Sequence, residues 1–158
     1  ETCQLGIQSR NMVFYIAKKD SPQPIRLMSS VGKQLPLYCT GLGRALLAYK
    51  SEEEIRSLFP EVLTAYTPHT IATINDLLKE LELTRQRGYA VEHEETNLMV
   101  NCIAVSLDYN NAPIAALSIS IPTFRISESK EKEAVQILWE AKQHIETHFK
   151  MYGVDFGN

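Results

Sequence analysis

No run of apolar residues in this chain approaches the length needed to cross a bilayer, and no signal-peptide pattern opens it. Cysteine is scarce. Cys3, Cys39 and Cys102 are odd in number, widely spaced and include no CxxC pair, which argues against a disulfide framework and against a structural zinc site. A basic surplus is missing too: 16 Lys and Arg against 19 Asp and Glu leave a net charge of −3, the wrong sign for a nucleic-acid-binding face. GxSxG, HExxH and phosphate-loop signatures are absent, as are internal repeats and low-complexity segments. The four histidines are scattered. His144 and His148 stand one helical turn apart, but two ligands do not complete a metal site, and no cofactor is implied. The expectation is a cytoplasmic protein in a reducing compartment, with no membrane partner.

What is present fits a single domain over residues 1–158: the chain is 44% hydrophobic and 22% charged, enough to bury a sizeable core. Its organising stretch runs from Leu35 to Ala48. Pro36 brings the chain in extended, Thr40 is placed to cap a helix, and Gly41 and Gly43 admit a close neighbour to the backbone. That neighbour is either another chain segment, in a tight helix-on-sheet contact, or a small anion at the helix start.

Around this stretch the patterning is mixed. Cys3, Leu5 and Ile7 alternate with polar residues, Ser9-Arg10-Asn11 makes a turn, and Met12–Ala17 is a second strand. A third strand is expected around Ile25–Ser30. Ser51 and Glu54 form a capping box for a helix that ends near Phe59, ahead of Pro60. Tyr66–Ile71 is expected to be an extended linker. Thr73 and Asp76 open a further helix that Gly88 terminates. Tyr89–Glu95 is a short strand running into an acidic turn, and Cys102–Leu107 and Ile114–Ile121 form a hairpin. Ser127 and Glu128 begin a last helix reaching roughly to Lys150, with Ala134, Leu138, Ala141, Ile145 and Phe149 as its apolar stripe. Trp139 lies off that stripe, as an interface residue would. The order of three strands, three helices, three strands and one helix gives an α+β fold around an antiparallel sheet.

Catalytic chemistry finds little support in the residues. Ser118 and Ser120 have no local base. Together with Ala116 they share one strand face, which suits either a pocket floor or a solvent-facing surface. Glu92, Glu94 and Glu95 can be read as an acid–base cluster, but a solvated turn accounts for them as well.

Five linked segments, Leu35–Ala48, Tyr66–Ile71, Gly88–Glu95, Asn101–Val105 and Ala115–Pro122, resemble the C-terminal effector-binding domain of the IclR family in order and spacing. The resemblance covers nearly the whole chain. It implies a GAF/PAS-like antiparallel sheet flanked by helices. It also implies a bacterial transcriptional regulator whose N-terminal winged helix-turn-helix domain is absent from this chain. DNA would be contacted only through that absent domain.

The implied effector is a small organic acid, a keto acid or a sugar-derived acid. Its implied site is the backbone of Gly41 and Leu42, the side chains of Glu92, Cys102, Ser118 and Ser120, and apolar walls from Leu27, Leu35 and Val100. Glu92 stands where the family has aspartate, Tyr38 where histidine is common and Arg44 where lysine is common. The first departure bears on effector identity; Glu92 is expected to accept from ligand hydroxyls. A homo-oligomer, dimer or tetramer, is also expected. The rival reading is a small GAF-like enzyme using the thiolate of Cys39 or Cys102, which would need a nearby base or cation and exposure.

Overall fold

Two asparagines fix the longest strand pair. Asn110 and Asn111 both take positive φ, of 51° and 62°, the geometry of a two-residue hairpin turn that Asn tolerates. They join β5 (Val100–Tyr109) to β6 (Ala112–Pro122). At the other end of the chain Arg10, at φ 56°, turns β1 (Thr2–Ser9) into β2 (Met12–Lys19). In the computed structural model, which describes residues 1–25, 27 and 29–154, the six strands form one antiparallel sheet in the order β3-β2-β1-β6-β5-β4. β3 is Gln34–Pro36 and β4 is Ala90–His93.

The helices are capped where the sequence indicates. Thr40 accepts from Gly43 N at the start of α1 (Gly41–Leu47), and Ser51 and Glu54 form a capping box on α2 (Glu52–Leu58). Thr73 caps α3 (Ile74–Arg87), which ends at Gly88 in the left-handed region. Ser127 caps α4 (Glu128–Tyr152). Trp139 of α4 lies over Gly88, where a Cβ would come within 2.8 Å of its ring, yet it stays partly exposed.

Alternation along the strands gives the sheet two unlike faces. Ile103, Val105, Ile119 and Ile121 pack under Ala134 and Leu138 of α4. The opposite face carries Ala90, Ala104 and Ala116, joined in one core with α1, α2 and α3. Small residues there let α1 lie flat on the sheet. A Cβ on Gly41 would touch Cys102 Cβ at 3.3 Å, and a Cβ on Gly43 would overlap the backbone of Leu37 in the 3-10 turn Leu37–Cys39. The close neighbour of both glycines is therefore protein.

Two expectations need correction. The third strand is not at Ile25–Ser30: among the described residues of that span none is in a strand, and Arg26 and Met28 lie outside the description. The carbonyls of Leu27 and Ser29 accept from the Lys18 ammonium at 3.1 and 2.6 Å instead of from a ladder. Gly32, at φ 88°, then turns the chain so that Gln34–Pro36 pairs with β2. Tyr66–Ile71 is also not extended. The Thr70 hydroxyl accepts from the Tyr66 and Thr67 amides and folds the segment into a turn.

Gly43→Ala is expected to lower unfolding free energy by on the order of 3 kcal/mol, because the new methyl meets backbone that cannot step aside. Gly41→Ala, whose methyl would meet Cys102 Cβ at 3.3 Å and needs its neighbour to give only a few tenths of an ångström, is expected to cost less. Equal losses in paired denaturant titrations would contradict this account of α1.

Candidate ligand-binding site

The face that carries α1 is not fully covered. Beside the helix a cavity of about 260 Å³ opens over β1, β2, β5 and β6. Its floor is Gln4, Tyr15, Cys102 and Ser120, and its apolar walls are Leu27, Leu35 and Val100. The loop between β2 and β3 adds Ser29 and Lys33 to the rim, and the turn between β4 and β5 adds Thr96 and Asn97. No carboxylate is among these lining residues.

A chain of hydrogen bonds runs across the floor. The Cys102 thiol and Ser120 hydroxyl are 2.9 Å apart, and Ser120 donates to Gln4 Oε1 at 3.0 Å. Ser118 also donates to Gln4 Oε1, at 3.3 Å, and Gln4 Nε2 donates to the Ser29 hydroxyl at 2.6 Å. Gln4 thus joins the sheet to the loop that covers it.

Of the nine residues expected in the site, Leu27, Leu35, Val100, Cys102 and Ser120 come together around this cavity. Gly41, Leu42, Glu92 and Ser118 are buried and are not among its lining residues. Gly41 packs against Cys102 and Ala104, and Ser118 lies beneath Gln4. Glu92, 1% exposed, accepts from the amides of Glu95 and Thr96 and so shapes the turn that carries Thr96 and Asn97. Burial pushes its carboxyl up to about 7, against the lowering effect of the Glu95 amide and of the Cys102 thiol.

The acidic cluster is accordingly not a solvated turn. Glu95 is buried and paired with the equally buried Arg44, and Glu94 accepts from the Met99 amide. The reading of Gln4, Tyr15, Ser29, Lys33, Thr96 and Asn97 as site residues was not available from motifs. The alternation that puts Gln4 opposite Ser118 in the register was the one usable signal.

The thiols do not suit nucleophilic chemistry. Burial pushes Cys39 up to about 12 and Cys102 well above its ordinary value, and Glu92 beside each adds to the rise. A second cavity, of about 280 Å³, lies at the C-terminal end of α1 against Ala45, Ala48, Tyr49, Thr84 and Tyr89. Its polar atoms are engaged: Tyr49 donates to Asp108, and the Arg85 guanidinium donates to the carbonyls of Ala48 and Lys50.

The comparisons with known proteins agree with this architecture. Residues 1–147 match the family model for the bacterial transcriptional regulator IclR C-terminal. The chain is 39% identical over 147 residues to the HTH-type transcriptional regulator KdgR of Dickeya chrysanthemi, covering 92% of this chain and 48% of that protein. The crystal structure of the C-terminal domain of E. coli KdgR superposes with a TM-score of 0.84 at 34% identity, covering 98% of this chain and 88% of that one. An IclR homologue from Microbacterium hydrocarbonoxydans, solved in complex with 4-hydroxybenzoate, matches with a TM-score of 0.84 at 25% identity, covering 96% and 61%. The chain spans about half the length of the curated relatives it matches. Those relatives are named as transcriptional regulators and repressors. Among the described residues no helix is long and apolar enough to cross a membrane.

The raised Glu92 pKa has a consequence for stability. The folded protein holds this proton more tightly than the unfolded chain, so Glu92 imposes no penalty below about pH 4.5. The penalty grows as pH rises and is complete above about pH 7. Wild type is therefore expected to lose roughly 3 kcal/mol against Glu92→Gln between pH 4 and pH 9, from a shift of that size at 1.36 kcal/mol per unit. Chemical denaturation of both proteins across this range checks it; a difference that does not change with pH would contradict it.

Proposed function

The chain belongs to the IclR family of bacterial transcriptional regulators, through its C-terminal domain, and from that premise we propose that it is a sensor domain for a small organic acid. The acid, a keto acid or a hydroxylated, sugar-derived acid, occupies the cavity beside α1 and alters the DNA binding of an N-terminal winged helix-turn-helix domain in the full-length regulator. The observation that carries this reading is a cavity walled by Leu27, Leu35 and Val100, free of carboxylates and ringed by polar donors. Leu27 and Ser29 lie in a loop held down by Lys18 and by Gln4, so a ligand can be enclosed without new chain being ordered. The related structure with 4-hydroxybenzoate supports a ligand that pairs a carboxylate with a hydroxyl.

In this reading Ser120, with Cys102 beside it, meets the ligand's second polar group. Gly41, Leu42, Ser118 and Glu92 support the cavity from behind, with Glu92 acting through the turn it caps. The protein works in the cytoplasm as a homo-oligomer. An open apolar surface on the other side of the sheet supports self-association: Leu5, Ile7, Ile16, Leu117, Ile145 and Phe149 line a broad concavity there.

A thermal-shift screen of keto acids, sugar-derived acids and hydroxybenzoates tests the reading. At least one acid is expected to stabilise the domain. Its affinity is expected to fall roughly tenfold or more in Ser120→Ala, the usual loss for one hydrogen bond. Glu92→Ala is expected to weaken it as well, by loosening the turn. An acid that binds both variants as tightly as the parent would place its site elsewhere.

A further inference from the structure

Tyr15 is 6% exposed and lines the cavity, yet its hydroxyl has no hydrogen-bond partner among the described residues. That hydroxyl is not sealed in protein, because Asp108 Oδ1 is the only fully buried side-chain nitrogen or oxygen there without a partner. A buried phenol that opens only on a cavity is a donor held for something else. Burial also pushes its pKa far above the ordinary tyrosine value, so it remains protonated at any physiological pH.

Its neighbour across the strands is Lys33. The Tyr15 amide donates to the Lys33 carbonyl at 3.0 Å, and the Gly32 amide donates to the Tyr15 carbonyl at 2.9 Å. The regular register ends at Phe14 and Gln34; beyond it Gly32, at φ 88°, supplies the amide to Tyr15 in place of Lys33, as in a bulge. Both residues line the same cavity, Tyr15 in its floor and Lys33 at its rim. Among the described residues no ion pair or hydrogen bond engages the Lys33 ammonium. A neutral donor and a cation, both unengaged among the described residues and on one cavity lining, match the two oxygens of a carboxylate.

We propose that Tyr15 and Lys33 form the carboxylate anchor of the ligand cavity and so select monocarboxylates over neutral analogues. The proposal rests on the organic-acid reading above and refines it by giving the acid group to side chains at the β2–β3 side of the cavity. The ligand's hydroxyl or keto oxygen then lies toward Ser120 and Gln4. The ligand is read from both ends by groups on different strands; no carboxylate lines the cavity, and Glu92, near enough to raise the Tyr15 pKa, has its own carboxyl pushed up to about 7 by burial.

The test compares wild type with Tyr15→Phe, Lys33→Met and Lys33→Arg by calorimetric titration. The probes are pyruvate, gluconate and 4-hydroxybenzoate, each beside its neutral counterpart: pyruvamide, sorbitol and 4-hydroxybenzamide. Tyr15→Phe is expected to melt at the wild-type temperature without ligand, since its hydroxyl has no partner to lose. At least one acid is expected to bind wild type, and its Kd to rise roughly ten- to a hundredfold in Tyr15→Phe and in Lys33→Met. Lys33→Arg is expected to keep most of the affinity, and the neutral counterpart to bind all forms equally weakly. An acid that binds Tyr15→Phe and Lys33→Met as tightly as wild type, but loses affinity in Ser120→Ala, would leave the organic-acid reading standing and overturn the anchor. If no acid binds wild type, or the neutral counterparts bind as well as the acids, the organic-acid reading falls and the anchor falls with it.

Discussion

The buried guanidinium of Arg44 is the joint on which this domain depends. It is 1% exposed, on the helix that lies flat against the sheet. Its Nε donates to the Tyr38 carbonyl at 3.0 Å, its Nη1 to the Val91 carbonyl at 2.9 Å, and its Nη2 pairs with the Glu95 carboxylate. Glu95 in turn accepts from the Ile71 amide at 3.1 Å, while the Thr67 and Thr70 hydroxyls donate to the carbonyls of Glu94 and Glu95. One side chain thereby ties α1, β4, the turn after β4 and the turn before α3 into a single unit. A buried charge is tolerated only when every donor has such an acceptor, and losing one partner typically costs about 3–5 kcal/mol. A lysine, with a point charge in place of a planar fork, cannot reach three acceptors in these directions.

Because this joint holds α1 down, the sheet face beneath the helix has to be made of small residues. Gly41 against Cys102 and Ala104, and Gly43 against Leu37, are the contacts that allow it. The same small-residue face continues past the start of the helix to Cys102 and Ser120, which floor the cavity. Turns from either side roof it. Glu92 and Glu94 hold one through backbone amides, and Lys18 and Gln4 hold the other. Polar side chains at each roof have their partners supplied by the protein itself, which fixes the shape of the cavity.

Local chemistry made much of this legible beforehand. Thr40, Ser51, Thr73 and Ser127 cap helices through hydrogen bonds to amides three residues on, so each boundary is written within four residues. Five of the nine expected site residues meet at the cavity because strand alternation and the family motifs both point to that face. What failed was nonlocal. A strand was expected at Ile25–Ser30 because nothing nearby in sequence says that Lys18 will take its carbonyls. That the Glu92 carboxylate also takes the Glu95 and Thr96 amides, both on Oε1, is shown only by the fold. Gln4, Tyr15 and Lys33 carry no motif, and their role follows from pairings between strands far apart in the chain.

The central claim, that the cavity beside α1 is where an acid binds, is tested most directly by residue-resolved amide NMR. A ¹⁵N-labelled sample is titrated with whichever organic acid stabilises the domain most. The largest shifts are predicted at Ser29, Leu35, Thr96, Asn97, Val100 and Ser120, with the amides of Ala45, Tyr49, Thr84 and Tyr89 unmoved. Shifts concentrated on that second group, around the other cavity at the far end of α1, would contradict the account.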